Sequence, residues 1–176
     1  VRDQFRFAVP SSEDLEFFGN AGWQAIYEEG AERLRAMGGE EVEIEFAPFR
    51  TVSELLYGGP LVAERLAGIR TFVTEHPDAM HPVTRKIMEG SAQHLGVDVF
   101  DALHHLHELG ARTLKTWDAA DFLFLPTTGT IYTIAEVEAD PIQLNANLGV
   151  FTNFVNLLDL CAISVPTGFD SGGLPF

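Results

Sequence analysis

The side chains able to bind or react are few, and their spacing sorts them. His104, His105 and His107 fall within one predicted helix, with Glu108 following. Placement at i and i+4 can hold zinc from one helix face, but there is no HExxH order and no obvious third ligand. A solvated or packed helix face accounts for these histidines more simply, as it does for His76 and His81 around a proline-containing turn. Cys161 stands between Leu160 and Ala162-Ile163, where a thiol is expected buried and protonated. Ser171-Gly172-Gly173 lacks both a P-loop lysine and a GxSxG elbow, so it reads as a turn. No serine, cysteine or threonine shows a nucleophile beside a base.

Tyr57 and Arg65 offer more, because they stand on either side of Gly58-Gly59-Pro60. On an unbroken helix they would lie roughly 80° apart in azimuth and about 12 Å apart along the axis. A break at Pro60 lets both lean into one cleft, where the guanidinium fork binds a carboxylate and the phenol adds a hydroxyl. Alternatively, Arg65 pairs with Glu64 or Glu75 while Tyr57 packs in the core. The residues alone favour this second arrangement.

The elements around these residues read as α/β. Phe5 to Pro10 alternates as a short strand, a helix spans about Asn20 to Met37, and Val42, Ile44 and Phe46 alternate with glutamates in a second, parallel strand. The Glu40 to Glu45 run is the wet face of that strand. Residues 51 to 118 are mostly helical, with segments near Val52–Tyr57, Pro60–Glu75, Pro82–Leu95 and Asp98–Trp117. The apolar run from Phe122 to Pro126 suits a strand buried on both faces, leaving Thr127 to Thr130 as a polar loop at its carboxyl end. A helix from about Leu144 to Leu158, a buried strand over Cys161 to Pro166 and a terminal turn complete the pattern.

Composition limits the partners. The 176 residues, 46% hydrophobic and including 14 Phe, make one domain that buries roughly 70% of its unfolded surface. Eleven Lys and Arg against 26 Asp and Glu give a net charge of −15, which opposes nucleic acid and anionic membranes. One cysteine precludes an internal disulfide framework and fits a reducing compartment. With no signal peptide and no apolar run near 20 residues, a cytoplasmic location is expected. The start at Val1 suggests a processed product or a fragment.

Several blocks together carry a resemblance. Leu55-Leu56-Tyr57-Gly58-Gly59-Pro60-Leu61-Val62-Ala63-Glu64-Arg65 resembles a segment of the allophanate hydrolases, amidase-signature enzymes that act on urea-1-carboxylate. Leu15 to Gly19, His81 to Thr84, Leu125-Pro126-Thr127 with Thr130 to Thr133, and above all Thr152 to Ala162 agree with it. Gly129 departs from the pattern, since proline or another residue is expected there in relatives.

The resemblance implies part of an amidase-signature mixed sheet layered with helices. It makes Tyr57 and Arg65 substrate-binding residues, the arginine on the carboxylate, and it places Thr127 and Thr128 near the same pocket. It implies a Ser–cis-Ser–Lys triad in a Gly/Ser-rich signature, yet no such signature occurs here, and Lys86 and Lys115 lie in helices. Residues 1–176 are therefore expected to form the carboxyl-side part of an amidase domain, with a substrate clamp and no catalytic residues. No metal or organic cofactor is expected. The anticipated partners are a small-molecule substrate, the missing half of the domain and, in a homo-oligomer, a second copy of the chain. A different amide specificity is conceivable, though Arg65 argues against neutral substrates, since an unpaired buried guanidinium is costly. The alternative is a non-catalytic truncated module that binds a small carboxylate or a partner chain.

Overall fold

The computed structural model describes residues 4–176, so the Val1 start lies outside the described residues. Strand β1, Phe5–Pro10, is central in a three-stranded parallel sheet of order β2-β1-β3. Helix α1, Ala21–Ala36, follows, with Trp23, Ile26, Tyr27, Gly30 and Ala31 buried at helical spacing. Asn20 caps it, its side chain accepting from the Trp23 N–H, and Gly38 at φ +93° turns the chain into the next strand. That strand, β2 at Gly39–Ile44, runs parallel to β1 from Phe5 opposite Gly39 to Pro10 opposite Ile44. Glu41 and Glu43 are exposed, as the alternation requires, and Glu40 at the start of the strand is exposed as well.

Strand β3, Phe122–Leu123, pairs with the other edge of β1, Phe7 opposite Phe122. Here the expectation of a long strand buried on both faces fails. The ladder covers two residues, and Phe122 is 37% exposed. As the edge strand, β3 has a neighbour on one side only among the described residues. The ring of Phe122 stacks instead on Phe5 and Phe7, at centroid distances of 5.7 and 6.2 Å.

The helical middle consists of α2 (Ala47–Gly58), α3 (Ala63–Glu75), α4 (Pro82–Ser91), α5 (Gly96–Thr113) and the short α6 (Thr116–Ala119). Helix α2 starts earlier than its apolar spacing suggests, because Pro48 sits in its first turn. The break expected at Pro60 is present, since Gly59 is extended and Pro60–Val62 makes one 3-10 turn before α3. Three short helices follow, α7 (Ile134–Ala139), α8 (Gln143–Leu148) and α9 (Asn153–Leu157). The single helix expected over 144–158 is thus divided at Gly149. The Asn153 side chain occupies the space beside that glycine, where a Cβ would lie 2.3 Å from its nitrogen.

The largest core cluster joins Phe46, Phe49, Val52, Leu109, Phe151 and Phe154, and so packs α2, α5 and α9 together. Ser53 fastens the same junction. Its buried hydroxyl donates to the Val150 carbonyl at 3.0 Å and accepts from the Phe154 N–H at 3.1 Å. The buried strand expected over Cys161 to Pro166 does not form. These residues are exposed, Ile163 at 87%, because no neighbouring strand supplies a ladder among the described residues. The tail closes as a turn, with Phe169 bridged to Pro175 and the Asp170 carboxylate accepting from the N–H groups of Gly172 and Leu174.

Candidate functional site

The helix break determines how Tyr57 and Arg65 meet. Helix α2 is anchored through Phe49, Val52 and Ser53, leaving Tyr57 in its last turn, 52% exposed. Helix α3 is anchored on the next side by Val62 and Leu66, which pack with Met88 and turn Arg65 outward. The result is a stack, with Arg65 Cζ 4.5 Å from the Tyr57 ring centroid. Among the described residues Arg65 has no ion-pair partner, so neither Glu64 nor Glu75 takes the role that spacing alone favours for them. Tyr57 is not in the core. A guanidinium lying over a ring keeps its in-plane N–H donors free, which suits a planar carboxylate.

Thr127 and Thr128 follow the β3 run in a loop of a different kind. Thr127 is exposed, with its Oγ1 2.9 Å from Ser164 Oγ. Thr128 Oγ1 donates to the Thr130 carbonyl at 3.0 Å, which leaves that oxygen its lone pairs to accept a further N–H. Thr130 is buried, and Asn20 Nδ2 donates to its Oγ1 at 3.3 Å. Gly129 is required by close approach, since a Cβ there would lie 2.1 Å from the Glu16 carbonyl oxygen. Among the described residues, no hydrogen bond or ring contact joins Tyr57 or Arg65 to Thr127 or Thr128. Two contributors escaped the sequence reading. Asn20 stands there only as the start of a helix and not as a loop contact, and Ser164 carries no local signal.

The other candidates do not assemble. No group of three His, Cys, Asp or Glu gathers as a metal site among the described residues. His105 Nδ1 stands 3.8 Å from Glu108, both exposed. Cys161, expected buried, is exposed. Tyr27 is held firmly neutral, because burial first and the Glu41 charge second push its phenol above the ordinary tyrosine value. Its hydroxyl donates to the Phe124 carbonyl at 2.9 Å and so serves packing.

The parallel strand–helix–strand unit with its helical flank is a fold with known relatives. Residues 2–176 match the amidase family, and the chain belongs to it. Within that family, the chain is 31% identical to the urea amidolyase of Saccharomyces cerevisiae over 96% of its own length and 9% of that protein. In three dimensions it follows the allophanate hydrolase of Kluyveromyces lactis with a TM-score of 0.92 at 27% identity, covering 99% of this chain and 29% of that one. A glutamyl-tRNA(Gln) amidotransferase of Thermotoga maritima shares the fold, with a TM-score of 0.71 at 24% identity over 97% of this chain and 37% of that one. The chain thus spans a minor part of each of these relatives. Among the described residues no helix is long and apolar enough to cross a membrane.

Proposed function

We propose that this chain is the carboxyl-side part of the amidase domain of an allophanate hydrolase, releasing ammonia and carbon dioxide from urea-1-carboxylate. Tyr57 and Arg65 hold the substrate carboxylate, and Thr127 and Thr128 line the same pocket. One observation carries the reading: an arginine with no acidic partner among the described residues, stacked on an exposed tyrosine at a helix break. The likeness to allophanate hydrolase in sequence and backbone supports it. A Thr128 oxygen left as an acceptor suits the N–H groups of a urea-type substrate, while the Arg65 fork suits its carboxylate.

Acyl transfer would then run through a serine nucleophile contributed by the rest of the domain. Attack on the amide carbonyl breaks the C–N bond and expels ammonia, water releases the acyl group as an acid, and decarboxylation of that acid then yields carbon dioxide. The residues here bind and orient. The setting is a cytoplasmic enzyme with a small-molecule substrate, in which the remainder of the domain covers the exposed Cys161 to Pro166 segment and a second copy can associate.

The test is ammonia release from allophanate by the full gene product, as wild type and as Arg65→Leu and Arg65→Lys. Loss in Arg65→Leu, concentrated in KM and partly recovered by lysine, supports the clamp. Undiminished turnover in Arg65→Leu sinks it. The isolated 176 residues should release no ammonia, and turnover by them would mean that a nucleophile lies within this chain.

A further inference from the structure

The loop bearing Thr127 and Thr128 meets the turn before α1 at two points. The Glu16 carbonyl fills the space beside Gly129, and Asn20 reaches Thr130 from 110 residues away in the chain. The turn itself is tightly determined. Phe18 adopts φ +52°, a conformation uncommon for a bulky residue, and its N–H donates to Glu16 Oε1 at 2.7 Å. Gly19 follows at φ +82°, and the Asn20 N–H closes the turn on the Phe17 carbonyl at 2.9 Å.

Asn20 has two separable tasks. Its Oδ1 accepts from the Trp23 N–H at 3.1 Å and caps α1. Because that contact needs an acceptor, the amide orientation is settled, and the NH2 end must face Thr130 Oγ1. Thr130 is buried and its carbonyl accepts from the Thr128 hydroxyl, so whatever holds Thr130 also sets where Thr128 presents its oxygen.

We propose that Asn20 is a positioning residue, tethering Thr130 to the head of α1 so that the Thr127–Thr130 loop keeps one shape against substrate. This rests on the reading that the loop contacts substrate, and it adds the tether to that reading. Capping alone would make Asn20 replaceable by any good N-cap residue. Tethering requires a donor long enough to reach Thr130.

Asn20→Ser separates the two tasks, since serine caps a helix as well as asparagine but is too short to reach Thr130. In the full gene product, amides of residues 127–132 should exchange with solvent about 3- to 10-fold faster in Asn20→Ser, the worth of one hydrogen bond, with Tm unchanged. KM for allophanate should rise by a similar factor with kcat nearly constant. Thr130→Val should reproduce both effects without touching the cap, Thr130→Ser should restore them, and the double variant Asn20→Ser/Thr130→Val should be no worse than either single one. Unchanged loop exchange in both Asn20→Ser and Thr130→Val overturns the proposal. Faster exchange with unchanged KM supports the tether and counts against the loop as a substrate contact, so the two readings fail separately.

Discussion

Tyr57 and Arg65 meet across a helix break with open space around Gly58, whereas Thr127 to Thr130 are clamped between the α1 cap and the Glu16 carbonyl. The first region is exposed and held by one ring contact. The second is tied by the Thr128–Thr130, Asn20–Thr130 and Thr127–Ser164 bonds. The difference matches the chemistry proposed for each. A guanidinium on a flexible stem finds a charged carboxylate by long-range attraction and then locks onto it through paired hydrogen bonds. A hydroxyl has no such reach and must already stand in the right place. The clamp can therefore be loose where the loop cannot.

Arg65→Leu attacks the loose side and should have the largest effect. Removing two charge-assisted hydrogen bonds to substrate costs about 3 kcal/mol or more, hence a rise in KM on the order of 10²-fold, with little change in Tm. A fall in Tm without a change in KM would make Arg65 a structural residue and dissolve the contrast.

A pair of glycine substitutions addresses the same contrast through stability. Gly129→Ala drives a methyl group into the Glu16 carbonyl, a backbone atom that cannot swing aside, so thermal unfolding should show a loss of about 1–3 kcal/mol. Gly58→Ala meets nothing within 4 Å at the end of α2, and it should be neutral or stabilising by up to about 1 kcal/mol. Equal effects at the two sites would mean that the loop yields as easily as the break.

The stack itself is the next smaller term. Tyr57→Leu removes a cation–π contact at an exposed site, worth about 0.5–1 kcal/mol, and should raise KM about 2- to 5-fold. Tyr57→Phe keeps the ring. If phenylalanine loses as much as leucine, the hydroxyl matters and the stack is incidental.

How much of this was legible depended on the range of the contacts involved. The β1–α1–β2 unit was readable because alternation, the 3.6-residue period and the glycine stop at Gly38 are all local signals, and the parallel direction of β2, though not its register, followed. The break at Pro60 was readable for the same reason, but whether Arg65 would meet Tyr57 or a glutamate was not, since it depends on how Val62 and Leu66 seat α3. The resemblance, not the spacing, tipped that choice. The loop at 127–130 was placed correctly after a strand, yet its tethers come from residues 16 and 20, which no local pattern couples to it. Cys161 to Pro166 shows the opposite failure. Its apolar run signals that something should cover it, but among the described residues nothing pairs with it, and composition cannot name the neighbour.

The smallest expected effect lies just beyond the loop, where the first turn of α7 is held by a charged acceptor rather than by a neutral one. Thr133 Oγ1 and the Thr133 N–H both donate to Glu136 Oε2 at 2.7 Å, while the Glu136 N–H donates back to Thr133 Oγ1 at 3.3 Å. The hydroxyl bond first, and the backbone bond second, hold the Glu136 carboxyl below the ordinary glutamate value. A carboxylate whose folded pKa is depressed contributes its stability above the unfolded value and loses it as pH falls through the folded one. Amides at the start of α7 should therefore exchange faster below the normal glutamate range. In a Glu16→Gln variant, which removes the carboxylate that closes the turn before α1, those of 127–130 should show no step there, because Asn20, Thr128 and Thr130 do not titrate. Exchange measured by NMR across pH 3 to 6, roughly the window around an ordinary glutamate, decides it. A common step in both segments would mean that the loop is carried by α7 rather than fixed from Asn20, and the tether would lose its place as the element that distinguishes the loop from the clamp.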